Sequence, residues 1–221
     1  MFTRHDQKLE FILRIAARIF AEKSYHSTSM RDISRATEVS LAGLYHYFKS
    51  KEELLFLIQD NCFGRVLERL DERLAEAADP VQKLRIFIDN HLAFFAANMA
   101  EMKVLSHEAD SLGGDLHSHV SGKKQKYTRL AREILSDVEQ QQVEAERRQI
   151  DLTVATYALF GMMNWIYNWY DPNGKVTISE LVDNITRLFL NGLLAGSPAG
   201  TSTLSPKVMG EGLSVWRVPQ H

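Results

Sequence analysis

Between Ser27 and Lys51 the chain reads STSMRDISRATEVSLAGLYHYFKSK, and this stretch leaves few folds open. Ile33, Ala36, Val39, Leu44 and Phe48 recur at the spacing of two short helices packed across a tight turn. Thr28 or Ser29 offers a hydroxyl to the unpaired N–H groups of the first helix, and Ser40 does the same for the second. An aromatic cluster and two lysines, Lys49 and Lys51, follow directly. A pair built this way lowers its second helix, roughly residues 41–47, into a major groove and turns helix N-termini toward phosphates. Phe48 reads as core, whereas Tyr45 and Lys51 read as functional.

The rest of the chain is helical in period and shows neither strand-like alternation nor an internal repeat. A first helix is expected over about residues 3–23, with Leu9, Ile12, Leu13, Ala16, Ile19 and Phe20 as its stripe. Ser50-Lys51-Glu52-Glu53 has the form of a capping box and starts a helix to about residue 77, where Asp79-Pro80 stops it. Further helices are expected over 81–99, 101–109 and 119–148, with Ser111-Leu112-Gly113-Gly114 as a break. Leu152–Tyr170 carries large apolar groups on nearly every face, and a second capping box at Thr177–Glu180 opens a helix over 179–194 with Leu181, Val182, Ile185, Leu188 and Phe189. Two such helices per subunit would pair as a four-helix homodimer interface. The fold class is therefore all-α. Residues 1–50 form a three-helix unit with the helix-turn-helix, 51–195 a helical domain carrying the dimerisation helices, and 196–221 a tail rich in Gly, Ser, Pro and Thr.

The longer run from Phe11 to Leu55, with IAARIFAEKSYHSTSMRDISRATEVSLAGLYHYFKSKEELL inside it, resembles the N-terminal domain of TetR-type transcriptional regulators. Its most distinctive part is Leu44-Tyr45-His46-Tyr47-Phe48-Lys49-Ser50-Lys51. The resemblance implies an all-helical, homodimeric, ligand-responsive DNA-binding protein, usually a repressor, whose last two helices form the dimer contact. Carried over by motif position, Arg31, Leu41, Ala42, Gly43, Tyr45 and His46 resemble the family's DNA-contacting positions, and Thr28, Ser40, Lys49 and Lys51 are placed for phosphates. Leu41 and Ala42 depart from the polar residues often found there and offer apolar contact, for example to thymine methyls.

Leu159 to Pro172 looks like the corresponding helix of a subgroup that senses acyl-CoA thioesters. Lys123, Lys124, Lys126, Arg129 and Arg132 precede the first acid of their helix, Glu133, and Lys126, Arg129 and Arg132 share a face suited to coenzyme A phosphates. A solvated basic face over an ordinary core is the plainer alternative. Phe94, Phe95, Met99, Tyr127, Met163 and Trp165, with Phe87 and Leu105, are candidates to line an acyl channel. His91 either hydrogen-bonds a thioester carbonyl or is a satisfied core histidine. A repressor of a multidrug efflux system, sensing aromatic or lipophilic compounds, would also use an aromatic pocket, but would leave the basic cluster without a task.

Net charge is −2, and residues 1–60 hold nine Lys and Arg against eight Asp and Glu, so attraction to DNA has to come from where charges sit. The one cysteine, Cys62, excludes an internal disulfide and reads as a small buried apolar residue suited to a reducing cytoplasm. The N-terminus lacks a signal-peptide core and no apolar run is long enough to span a bilayer. His107, Glu108, Asp110, Asp115, His117 and His119 are not at metal-ligand spacing and read as a polar loop. No nucleophile elbow, phosphate loop or paired carboxylates suggest an enzyme, and neither metal nor cofactor is expected beyond an effector such as an acyl-CoA.

Overall fold

The structure, a computed structural model that describes residues 3–141 and 151–194, contains no strand among those residues. Nine helices follow in order among the described residues: α1 Arg4–Lys23, α2 Met30–Thr37, α3 Leu41–Tyr45, α4 Lys51–Leu74, α5 Pro80–Ala97, α6 Met99–His107, α7 Gly114–Gln140, α8 Leu152–Asn164 and α9 Ile178–Leu194. Single 3-10 turns lie at Ala109–Ser111 and Trp165–Asn168.

The starts of these helices follow from short-range hydrogen bonds. Thr3 and Asp6 form a reciprocal capping box on α1, as do Ser29 and Asp32 on α2. Ser29, not Thr28, is thus the cap. Asp79 accepts the Gln82 N–H at 2.8 Å, and Pro80 occupies the first helical position, where its missing N–H costs nothing. At α4 the box is half formed: Ser50 accepts the Glu53 N–H, but the Glu53 carboxylate accepts from the Lys49 N–H instead of from Ser50.

Two helix boundaries differ from the sequence-based expectation by five residues or more, and the others, apart from the end of α7, by three or fewer. α7 begins at Gly114, five residues early, because the glycine pair starts the helix instead of breaking it. Gly114 adopts φ +53°, which a side chain would resist, and the Gly113 N–H is held by Glu52 at 3.0 Å. α8 ends at Asn164 and tightens into the 3-10 turn, six residues short of the expected end, and Asp171-Pro172 bars helix from resuming there. The expected continuation over residues 142–148 and the tail at 196–221 lie outside the described residues.

Two apolar cores meet along α4. The N-terminal core holds Ile12, Ala16, Phe20, Ile33, Leu44 and Phe48 together with Leu54, Leu55 and Ile58 of α4 and Val104 and Val120 of α6 and α7. Each fully buried Leu, Ile or Phe contributes about 1.5–3 kcal/mol by leaving water. Ala36 is exposed, and Thr37 takes the expected inward place, its hydroxyl donating to the Ile33 carbonyl at 2.8 Å. The second core runs from Val66, Leu67 and Leu70 through Phe87, Leu135, Leu159 and Val182. The packing therefore crosses residue 50: the first turns of α4 belong to the N-terminal core and its later turns to the other.

Candidate nucleic-acid interface and ligand cavity

The α2–α3 unit is fixed by a tight corner. Glu38 caps α2 in the left-handed region at φ 55°, and the Ser34 hydroxyl donates to the Val39 carbonyl at 2.6 Å. Ser40 then caps α3 by accepting the Gly43 N–H at 3.1 Å. A Cβ on Gly43 would lie 2.9 Å from a Val39 methyl and 3.2 Å from the Ser40 oxygen, so the close approach of the corner to α3 requires glycine. Leu44 and Phe48 point inward, while Arg31, Ser40, Ala42, His46, Lys49 and the half-exposed Tyr45 form one outward face, with Leu41 and Gly43 partly covered. Tyr47 stacks on His5 of α1 with ring centroids 4.6 Å apart, which fixes the aromatic run against the first helix.

Two of the phosphate candidates sit differently from the rest. Thr28 is buried and its hydroxyl donates to the Ser24 carbonyl at 2.8 Å, so it shapes the loop from within. Lys51 needs no anion: its ammonium donates to the Tyr25 and Thr28 carbonyls, each at 3.0 Å, and lies 4.3 Å from the Tyr25 ring centroid. It ties α4 to the turn before α2.

A cavity of about 410 Å³ lies among α4, α5, α6, α7 and α8, lined by Phe63, Val66, Phe95, Met102, Leu105, Phe160 and Tyr167. Its polar element is a chain of three side chains. His91 Nδ1 is 3.1 Å from the Tyr127 hydroxyl and His91 Nε2 is 3.1 Å from Asn164 Oδ1. An amide oxygen only accepts, so Nε2 carries the proton and donates to Asn164, and Nδ1 accepts from Tyr127. Burial holds His91 neutral, its pKa pushed down to about 3, with the Asn164 hydrogen bond opposing that shift. Burial likewise pushes the Tyr127 hydroxyl pKa upward. The Asn164 amide N–H groups and the remaining lone pair of Tyr127 are not used within the chain of three. This combination accommodates an uncharged carbonyl and disfavours a buried carboxylate, which would be desolvated without a cation.

Of the sequence-derived ligand residues, the cavity brings together His91, Phe95, Leu105, Tyr127 and Trp165. Phe94 and Met99 line a separate cleft, because Phe94 points about 100° around α5 from Phe95. Met163 is fully buried in the core beneath the cavity. The basic cluster is divided as well. Lys126 pairs with Asp71 at 3.1 Å, and Lys123 pairs with Asp60, so these two clasp α7 to α4. Arg129 and Arg132 are exposed and do not line the cavity. Lys124, one turn before Thr128, is the cation at the rim. Asn164 is the polar cavity residue that sequence reasoning misses, although a polar residue inside the apolar run FGMMNWIY is the available signal.

The polar loop also has definite tasks. The buried Glu108 carboxylate accepts from the Tyr25 N–H at 3.0 Å and the Ser111 hydroxyl at 2.8 Å, and its carbonyl accepts from buried Gln59 at 3.0 Å. His119 faces Asp60 at 2.9 Å. Among the described residues no group of His, Cys, Asp and Glu is arranged to hold a metal ion, and no helix is long and apolar enough to cross a membrane.

A helix-turn-helix face, joined through a shared helix to a helical bundle with a solvent-open cavity, defines a DNA-binding transcriptional regulator that carries its own ligand domain. Residues 12–58 match the bacterial regulatory proteins of the tetR family, and residues 77–193 match the tetracyclin repressor-like C-terminal domain. The chain belongs to the TetR family. It is similar to the crystal structure of AibR in complex with isovaleryl coenzyme A and operator DNA, with TM-score 0.73 and 29% identity over 86% of this chain and 99% of that one. The TetR-family regulator PfmR from Thermus thermophilus superimposes with TM-score 0.72 and 32% identity, covering 82% of this chain and 98% of its own. The fatty acid metabolism regulator protein of Bacillus subtilis (strain 168) is 23% identical over 186 residues, 82% of this chain and 93% of the relative.

Proposed function

We propose that the chain is a homodimeric repressor that binds a palindromic operator and leaves it when an acyl-CoA thioester enters the cavity, in control of fatty-acid or related acid catabolism. The observation that carries this reading is the cavity's chemistry: apolar and aromatic walls around an uncharged His91–Tyr127–Asn164 chain, with Lys124 at the rim. The acyl group would occupy the apolar part, and the Asn164 amide would donate to the thioester carbonyl. AibR was crystallised with such a thioester and operator DNA, which supports extending the class of effector to this chain.

DNA contact is assigned to the outward face of the α2–α3 unit. Arg31, Leu41, Ala42, Gly43, Tyr45 and His46 meet base edges or the groove wall, and Ser40 and Lys49 meet phosphates. Thr28 and Lys51 support the face from behind. Dimerisation is assigned to residues 152–170 and 179–194, whose exposed apolar groups Val154, Trp169 and Leu188 would otherwise face water. Two reading heads fixed by this interface must match half-sites one duplex turn apart, so a small change in their separation removes much of the specific affinity.

Transmission runs through α6. Met102, Leu105 and Ser106 line the cavity, and Glu108, the C-cap of the same helix, grips the Tyr25 N–H ahead of α2. Displacing α6 therefore shifts the turn that Lys51 holds from the other side. The test is to select operator fragments from genomic DNA with the purified dimer, then follow labelled operator by anisotropy during titration with acyl-CoA thioesters. The proposal expects release by one thioester class. Release by an aromatic cation and by no thioester would favour a repressor of drug efflux instead.

A further inference from the structure

A second cleft, of about 430 Å³, lies on the other side of the α4–α6 layer from the ligand cavity, along the seam where α1 meets α4 and the α5–α6 corner. Its walls carry three guanidinium groups. Arg14 and Arg18 stand one turn apart on α1, and Arg65 faces them from α4. Two carboxylates, Glu10 and Glu101, also line it. Glu10 is already engaged by Arg65 at 3.5 Å, whereas Arg14 and Arg18 have no carboxylate within ion-pair distance among the described residues. The floor is apolar, with Leu13, Ile58, Cys62 and Phe94, and Arg65 lies 5.9 Å from the Phe94 ring centroid.

Two such arginines above an apolar floor match a phosphorylated ligand with an organic body better than they match a structural role. Guanidinium groups bind phosphate oxygens in pairs of parallel hydrogen bonds and are weakly hydrated, so little is lost when an anion displaces their water. We propose that this cleft is a second binding site, taking the phosphate or diphosphate group of a phosphorylated ligand through Arg14 and Arg18. Because α1 belongs to the DNA-reading unit and α4 to both, an anion held here fastens the reading head to the ligand domain.

The cleft and the cavity are separated at one point by two side chains in contact. The buried Cys62 thiol lines the cleft and contacts Met102 sulfur at 3.6 Å, and Met102 lines the cavity. Methionine is the side chain that moves aside most readily. A CoA thioester could therefore keep its acyl group in the cavity and its diphosphate in the cleft; that version rests on the proposed function. It gives the coenzyme's phosphates a pair of guanidinium groups where the cavity rim offers the single ammonium of Lys124, since Lys123 and Lys126 are engaged by Asp60 and Asp71.

The test titrates the full chain with inorganic pyrophosphate, free CoA, an acyl-CoA and the matching acyl-pantetheine, which has no phosphate. The wild type is compared with R14A/R18A and with K124A, a rim control. Both arginines are exposed, so the subunit keeps its core; unchanged thermal unfolding checks this, and the single variants R14A and R18A serve if the double variant is unstable. The expected result is that wild type binds pyrophosphate and CoA, that R14A/R18A weakens both about tenfold or more, and that acyl-pantetheine binding is unchanged. Added salt should weaken the anions and spare acyl-pantetheine. Absence of pyrophosphate and CoA binding, or equal binding by R14A/R18A, overturns the site even if acyl-pantetheine binds and the proposed function survives. Anion binding at the arginines without any thioester binding upholds the site, names a free phosphorylated ligand as its occupant, and removes the acyl-CoA reading.

Discussion

Lowering the pH from 8 to 5 should destabilise this protein through His91 by an amount that can be worked out. The folded state holds His91 neutral, with a pKa of about 3 against an ordinary 6.5, because burial penalises the imidazolium. Between those values the unfolded chain binds a proton that the folded chain refuses, so stability is fully present above about pH 6.5 and falls as pH drops below it. At pH 5 the unfolded imidazole lies about 1.5 pH units below its pKa, and about 1.4 kcal/mol per unit gives a loss of about 2 kcal/mol. Urea unfolding at fixed protein concentration, at pH 8, 6.5 and 5, measures this for wild type and H91Q. Other titrating groups are common to both proteins, so the difference between the two pH dependences isolates His91. Wild type should lose about 2 kcal/mol more than H91Q between pH 8 and 5. Equal losses would mean that His91 is hydrated or charged in the fold, and the neutral hydrogen-bond chain from Tyr127 to Asn164 would have to be abandoned.

Three other perturbations report on separate parts of the account. G43A forces a Cβ to within 2.9 Å of Val39 and should cost about 1–3 kcal/mol in unfolding stability while lowering operator affinity by tilting α3. E108A leaves the Tyr25 N–H and the Ser111 hydroxyl without their acceptor; titration should find effector affinity retained, and anisotropy should find operator release blunted. L188E places a charge on a residue that is 66% exposed in the subunit, so helix content by circular dichroism should persist while light scattering reports a monomer and operator binding is lost. A dimeric L188E protein would relocate the interface away from α9.

Local rules made much of this architecture legible. Ser40, Ser50 and Thr177 cap where their spacing says they should, and the apolar stripe of α1 is buried at Ile12, Leu13, Ala16 and Phe20. Partnerships between distant residues were not legible. Lys126 looks like a receptor for phosphate in sequence, yet Asp71, 55 residues away, lies beside it once α4 and α7 pack. Lys51 looks like a free cation and is satisfied by two carbonyls more than twenty residues upstream, a role that backbone oxygens never announce. Phe94 and Phe95 are neighbours in the chain but point to different cavities, since adjacent helical residues diverge. The sequence thus marked the helices and the helix-turn-helix corner, while the division of cations and aromatics between two cavities depended on packing.

The central claim, that the cavity takes a neutral acyl thioester, is tested most directly by isothermal titration of the purified protein with medium- and long-chain acyl-CoA, phenylacetyl-CoA, free CoA and an aromatic cation, repeated with N164L. The account predicts micromolar or tighter binding of one thioester class, weaker binding of free CoA, and a loss of about tenfold in N164L, as expected when one hydrogen bond to the carbonyl is removed. Uptake of the aromatic cation with no response to any thioester would contradict it.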